Sequence, residues 1–158
     1  MRVFRDTRFS RDKRPYKTNI GIQFRHALAR DVHAPGFYLH VSPAENFLGV
    51  GCWRPAPVAL GRIREWIAER PERWFAARDD ARFNAVWTLE GERLSRPPRG
   101  YAADHPALDD LKRKDFIGIV RLATAEIVAP SLVERSAACF AAATPLMAFL
   151  CEAVGASW

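Results

Sequence analysis

Residues 37–53, FYLHVSPAENFLGVGCW, decide the fold. Phe37, Leu39 and Val41 fall on one side of an extended chain, and Tyr38, His40 and Ser42 on the other. Ser-Pro-Ala-Glu-Asn at 42–46 has the composition of a hairpin loop. The chain returns at 47–53 as a second strand that carries Gly49 and Gly51 on the same side. Two glycines facing one way leave a flat patch where another backbone or a ligand can come close.

Working outward from this hairpin, residues 19–26 read as another strand. Ile20, Ile22 and Phe24 point one way, and Gly21, Gln23 and Arg25 the other. Residues 34–36 are a turn signal. On the far side, residues 57–70 read as a helix with an apolar stripe of Leu60, Ile63, Trp66 and Ile67, leaving Arg62, Arg64, Glu65 and Glu69 for solvent. Pro71 suits the first turn of a second helix with Trp74 and Phe75. Phe83, Val86 and Trp87 are assigned to the core, followed by a hairpin of 87–90 and 92–96 about Gly91. The stretch 96–100, with two prolines and a glycine, excludes regular structure. Asp104 or His105 caps a helix that runs to about Lys114, and 116–123 is a buried strand. Ser131 and Glu134 have capping-box spacing. The helix they open presents Leu132, Cys139, Phe140 and Ala143, and Thr144-Pro145 breaks it before a final apolar segment. Short connections between the early strands disfavour a βαβ order. The expected fold is α+β: one domain over 1–158, a mainly antiparallel sheet, helices on one face, and a long C-terminal helical region.

A chain of 158 residues, 49% hydrophobic and 27% charged, can bury a core of its own. Cys52, Cys139 and Cys151 form no CxxC and no ligand-like group, and read as reduced core thiols; a bridge between Cys139 and Cys151 is the lesser alternative. No apolar stretch follows the N-terminal charges as in a signal peptide. The longest uncharged run, 136–151, falls short of the roughly 20 residues that a membrane span needs. These features predict a cytoplasmic, soluble chain with no membrane partner.

The net charge of +6 is local. Residues 1–17, MRVFRDTRFSRDKRPYK, hold seven cations against two anions; the other 141 residues hold 17 against 16. A strand at 2–5 and a turn at 10–14 capped by Ser10 are expected in this segment.

Three stretches together resemble the microbial family catalogued as domain of unknown function 2461: RDTRFSRDKRPYKT at 5–18, GVGCWRP at 49–55 and RPPRGYAADHP at 96–106. They match its RDxRFSxDKxPYKT signature, a glycine-rich aromatic-Pro motif and a DHP-containing motif. The resemblance implies no activity. It implies that the three stretches belong to one shared feature. Family members usually carry a helical segment before the first motif, whereas Met1 here sits almost on it. A chain N-terminally truncated relative to the family, with an apolar surface left uncovered, is the expectation.

Two readings fit the basic segment. In one, Arg5, Arg8, Lys13 and Lys17 hold phosphate or carboxylate, since guanidinium groups fork onto such oxygens and ammonium groups add point charge. Phe4, Phe9 and Tyr16 among them could then stack on bases. In the other, Asp6 and Asp12 bridge neighbouring arginines in a structural loop. Two aspartates cannot neutralise seven cations, so positive charge is left for solvent or a ligand. The partner is a phosphorylated metabolite or nucleic acid, although no nucleic-acid motif is present.

Of the four histidines, none has metal-ligand spacing, and no metal or cofactor is expected. His40, with Gln23, Arg25 and Tyr38, shares the sheet side of Gly49 and Gly51; this side is either a concave ligand patch or a solvated outer face. Arg99 and His105 come near the basic segment in the second functional reading, a small hydrolase in which His40 or His105 does acid–base work. Against it, Asp104 and His105 serve only as helix caps. No GxSxG, P-loop or GxGxxG fingerprint occurs. The tryptophan and phenylalanine stripes read as core. A structural fragment without a ligand is the third reading.

Overall fold

The computed structural model describes residues 18–25 and 34–156, Arg25 by its backbone alone. The strand expected at 2–5, the turn expected at 10–14, His26 and His33 lie outside the described residues. So do the candidate anion contacts Arg5, Arg8, Lys13 and Lys17.

The alternating segments form the sheet. Its strands are β1 (Ile20–Arg25), β2 (Gly36–Val41), β3 (Asn46–Cys52), β4 (Thr88–Glu90) and β5 (Phe116–Arg121). They lie in the order β1-β2-β3-β5-β4, with every neighbouring pair antiparallel. The loop between β2 and β3 closes as its composition predicts. Asn46 Oδ1 accepts from Ser42 N at 3.1 Å, and Ser42 Oγ donates to Glu45 O at 2.8 Å.

Among the described residues seven helices cover the sheet's apolar face: α1 (Pro57–Glu69), α2 (Pro71–Arg78), α3 (Ala81–Val86), α4 (Leu108–Leu111), α5 (Thr124–Ile127), α6 (Leu132–Ala142) and α7 (Thr144–Val154). Leu39, Leu48, Val50, Cys52 and Phe116 share one sheet face by register. They are buried in one core with Ile63 and Ile67 of α1, Trp74 of α2, Phe83 of α3 and Leu146 of α7. The fold is therefore α+β with its helices on one side. Trp87 joins the core with its indole N–H donating to Cys139 O at 2.9 Å, which satisfies a polar group that burial would otherwise penalise. All three cysteines are buried and free. No single helix among the described residues is long and apolar enough to cross a membrane; α6 and α7 meet at 60°.

Four local expectations are corrected. Gly91 does not turn a hairpin. Thr88–Glu90 pairs with β5, and the chain beyond Gly91 continues along the same partner: Lys114 N donates to Glu92 O, and Leu94 N to Lys112 O. Gly91 has φ 118° and presses against Asp115, where an added Cβ would stand 2.8 Å from the Asp115 Cβ. A glycine there bends one path instead of reversing it. The helix expected to reach Lys114 stops at Leu111, because residues 112–114 are taken by that pairing. Ser131 stands at the start of α6 with no side-chain cap; the carboxylate bond to an N-cap backbone in this region belongs to α5, where Glu126 Oε2 accepts from Ala123 N at 2.6 Å. Arg64 is half-buried, not solvated, and donates to Arg113 O at 2.9 Å.

Beneath the sheet's β4 side lies a buried ion pair that the sequence did not announce. Asp110 and Arg113 are 3% and 4% exposed, with Arg113 Nε to Asp110 Oδ1 at 2.9 Å. Arg78 reaches the other carboxylate oxygen. Burial pushes the Asp110 carboxyl up, but Arg113 and Arg78 outweigh it and hold the group below its ordinary value.

Candidate functional site

The face of the sheet turned away from the helices carries the candidate side chains Gln23, Tyr38 and His40. Strand alternation and register lay it out as a grid. The first row runs Gly21, His40, Phe47, Arg121. The second runs Gln23, Tyr38, Gly49, Ile119. The third begins at Arg25, placed by its backbone, and continues through Gly36, Gly51 and Ile117.

Above this grid is a cleft of about 500 Å³. Its floor is the backbone at Gly36, Gly49 and Gly51. Tyr38, His40 and Phe47 wall one end, Ile117 and Ile119 one side, and Trp53 the far end. The His40 and Phe47 rings stack at 4.8 Å with 10° between their planes. Tyr38 leans toward β1: a Cβ added at Gly21 would stand 2.3 Å from its hydroxyl. Its oxygen is 3.4 Å from His40 Nδ1, and burial pushes the phenol up, so it stays protonated and can donate to that nitrogen. Trp53 is 61% exposed, with the Arg54 guanidinium 5.0 Å from its ring centroid.

A carboxylate fixes the Trp53 end. Asp115, itself buried, accepts from Arg54 N at 2.7 Å and from Glu92 N at 3.2 Å. Arg54 can thus sit at φ 47°, a conformation uncommon outside glycine. Gly51 is required where it is. Its φ is 108°, and a Cβ there would stand 2.0 Å from Phe116 O. Gly49 carries no such demand. A Cβ at Gly49 would meet Ile119, Tyr38 and Phe47 at 3.7–3.8 Å, an ordinary contact distance.

The sequence-derived grouping of Gln23, Tyr38 and His40 with Gly49 and Gly51 is present, and the face is a concave cleft, not a flat solvated surface. Arg25 pairs with Gly36 at its edge. His105 is elsewhere. Its Nδ1 accepts from Ala107 N at 3.1 Å, which leaves Nε2 to donate to Ala68 O of α1 at 3.2 Å. It thus fixes the turn before α4 on the helical layer, with the sheet between it and His40. Arg99 is exposed in the irregular stretch 95–100. Phe47 and Trp53, to which the sequence reading gave no site role, belong to the cleft. Their parity with Gly49 and Gly51 was the signal for them. Ile117 and Ile119 gave none, because β5 is apolar on both faces and reads simply as buried.

Among the described residues no three His, Cys, Asp or Glu side chains gather as metal ligands. Burial pushes the Cys139 and Cys151 thiols up, away from the nucleophilic thiolate.

A family model described as a conserved hypothetical protein, DUF2461, matches residues 1–149. The chain belongs to this family. No curated protein and no solved structure matches the sequence. In this DUF2461 member, the glycine-bearing stretch 49–55 forms the floor and far end of the cleft. The stretch 96–106 is tied to the helical layer through His105.

Proposed function

We propose that this protein is a binding module for a small anionic ligand, a phosphate-bearing metabolite foremost. The ligand sits in the cleft on the open face of the sheet, and its charged end meets the basic N-terminal run. The cleft is the observation that carries the reading. A concavity of about 500 Å³ with apolar and aromatic walls and a few polar groups has the size and lining of small-molecule sites. The walls themselves offer little to an anion: Arg121, at the end of the first row, is engaged by Glu90 at 2.8 Å. Charge comes from the sequence immediately ahead of β1. Lys17 lies three residues before Ile20, so covalent reach keeps it within about 11 Å of the strand's start. Arg5, Arg8 and Lys13 follow from the same surplus of seven cations over two anions.

Acid–base work by His105 has no support in this arrangement, since His105 spends both ring nitrogens on backbone groups of the helical layer. His40 alone keeps a place in the cleft wall, where it can contact a ligand.

The test is the triple variant Arg5→Ala, Arg8→Ala, Lys17→Ala against the parent, titrated with phenyl phosphate at low and high salt and followed by calorimetry. Binding should weaken in the triple variant, and its dependence on salt should flatten. Equal affinity and equal salt dependence in the two proteins would remove the anion reading. Tighter binding of a single-stranded oligonucleotide than of any small phosphate would transfer the reading to nucleic acid.

A further inference from the structure

Gly49 is the feature that the fold does not explain. It sits in a central strand, where a glycine weakens the sheet relative to alanine. Its backbone conformation suits any residue, and a methyl group would find only ordinary contacts with Tyr38, Phe47 and Ile119. Gly51 is different, because its backbone forbids a side chain. The bareness at Gly49 therefore serves whatever lies above it.

The dimensions of the bare area say what that is. Gly49 and Gly51 are two residues apart on one face of β3, about 7 Å. Gly36, the register partner of Gly51, extends the floor by one strand spacing, about 5 Å. Tyr38 keeps its hydroxyl over Gly21 and so turns its ring off Gly49. What remains is a flat patch the width of one or two fused rings, with Phe47 and the stacked His40 at one end and Trp53 at the other. A planar ring can lie on peptide backbone at van der Waals distance and meet aromatic edges at its rim. A puckered ring of equal size sets only part of its atoms on the same plane and makes the poorer contact.

We propose that the ligand of the cleft is an aromatic ring compound bearing an anionic group, its ring laid on the backbone at Gly49 and Gly51. This rests on the reading of the cleft as an anionic-ligand site and narrows it to a substrate class. Gly49 is then the residue that sets specificity, by what it leaves out.

The experiment compares phenyl phosphate with cyclohexyl phosphate, equal in charge and nearly so in size but flat against puckered. Both are titrated by calorimetry into the parent, Gly49→Ala and Gly49→Val. The parent should bind phenyl phosphate roughly fivefold tighter than cyclohexyl phosphate. Gly49→Val should lose roughly tenfold on phenyl phosphate while still unfolding cooperatively. Gly49→Ala, the smaller wedge, should fall between and remains informative if the valine fails to fold. Equal affinity for the two phosphates, both weakened by Gly49→Val, would overturn the flat-ring inference and leave the cleft reading standing. Phenyl phosphate affinity unchanged by Gly49→Val but lowered by the basic triple variant would overturn it too, placing the ligand outside the cleft. No saturable binding of either phosphate would overturn both.

Discussion

Gly49→Ala and Gly51→Ala are the same chemical change two positions apart on one strand, and the structure gives them opposite signs. At Gly51 the new Cβ would stand 2.0 Å from Phe116 O, and φ 108° is closed to L side chains. Relief requires a strained backbone, about 1–3 kcal/mol. It also requires β3 and β5 to move apart where Gly51 pairs with Ile117, at about 1 kcal/mol for each hydrogen bond weakened. The sum is about 3 kcal/mol, a large part of the roughly 5–15 kcal/mol that holds a domain folded. For a chain of 158 residues this lowers the melting temperature by roughly 6–12 °C. At Gly49 the methyl group enters free space at contact distance, and the unfolded chain loses freedom. That change should be neutral or stabilising by up to about 1 kcal/mol. Urea unfolding followed by tryptophan fluorescence measures both, with the slope against denaturant expected to stay constant. Stabilities of the two variants within about 1 kcal/mol of each other would refute the geometry at Gly51 on which the floor of the cleft depends.

Asp110→Asn removes the charge facing buried Arg113 and should destabilise by about 3–5 kcal/mol near neutral pH, measured by the same unfolding assay. Because the folded carboxyl is held below its ordinary value, the contribution of Asp110 is present above about pH 4 and disappears as the pH falls through the folded value; the gap between parent and variant should therefore narrow in acid. His105→Ala should cost about 1 kcal/mol through the lost bonds to Ala68 and Ala107, yet leave phenyl phosphate affinity as in the parent; a loss of affinity at parental stability would reopen the case for His105 as a site residue.

The first three strands were legible because their signals are local. Alternation names the faces, and Ser-Pro-Ala-Glu-Asn can scarcely do anything but turn. Gly91 misled because a glycine bend and a glycine hairpin look alike until the partner is known, and the partner at 112–116 is some twenty residues further on. The Ser131–Glu134 spacing is right for a cap that α6 does not make; the bond of that kind is made at α5, by Glu126 to Ala123 N. In the site, parity brought Tyr38, His40, Gly49 and Gly51 together correctly. It passed over Phe47 and Trp53, which share that parity, although an open antiparallel face can carry aromatics as readily as polar groups. The basic segment is legible only as charge. Composition fixes how many cations precede β1, not where each one points.

Asp115 ties together parts of the chain that share no other purpose. One oxygen anchors the amide just past Trp53, and the other anchors the amide just past Gly91. The far end of the cleft and the bend that keeps residues 92–94 alongside 112–114 hang from a single carboxylate, like two doors on one hinge post. A sequence change that unseats that post would be felt as a blurred binding floor by one observer and as a frayed sheet edge by another, and both would be watching the same event.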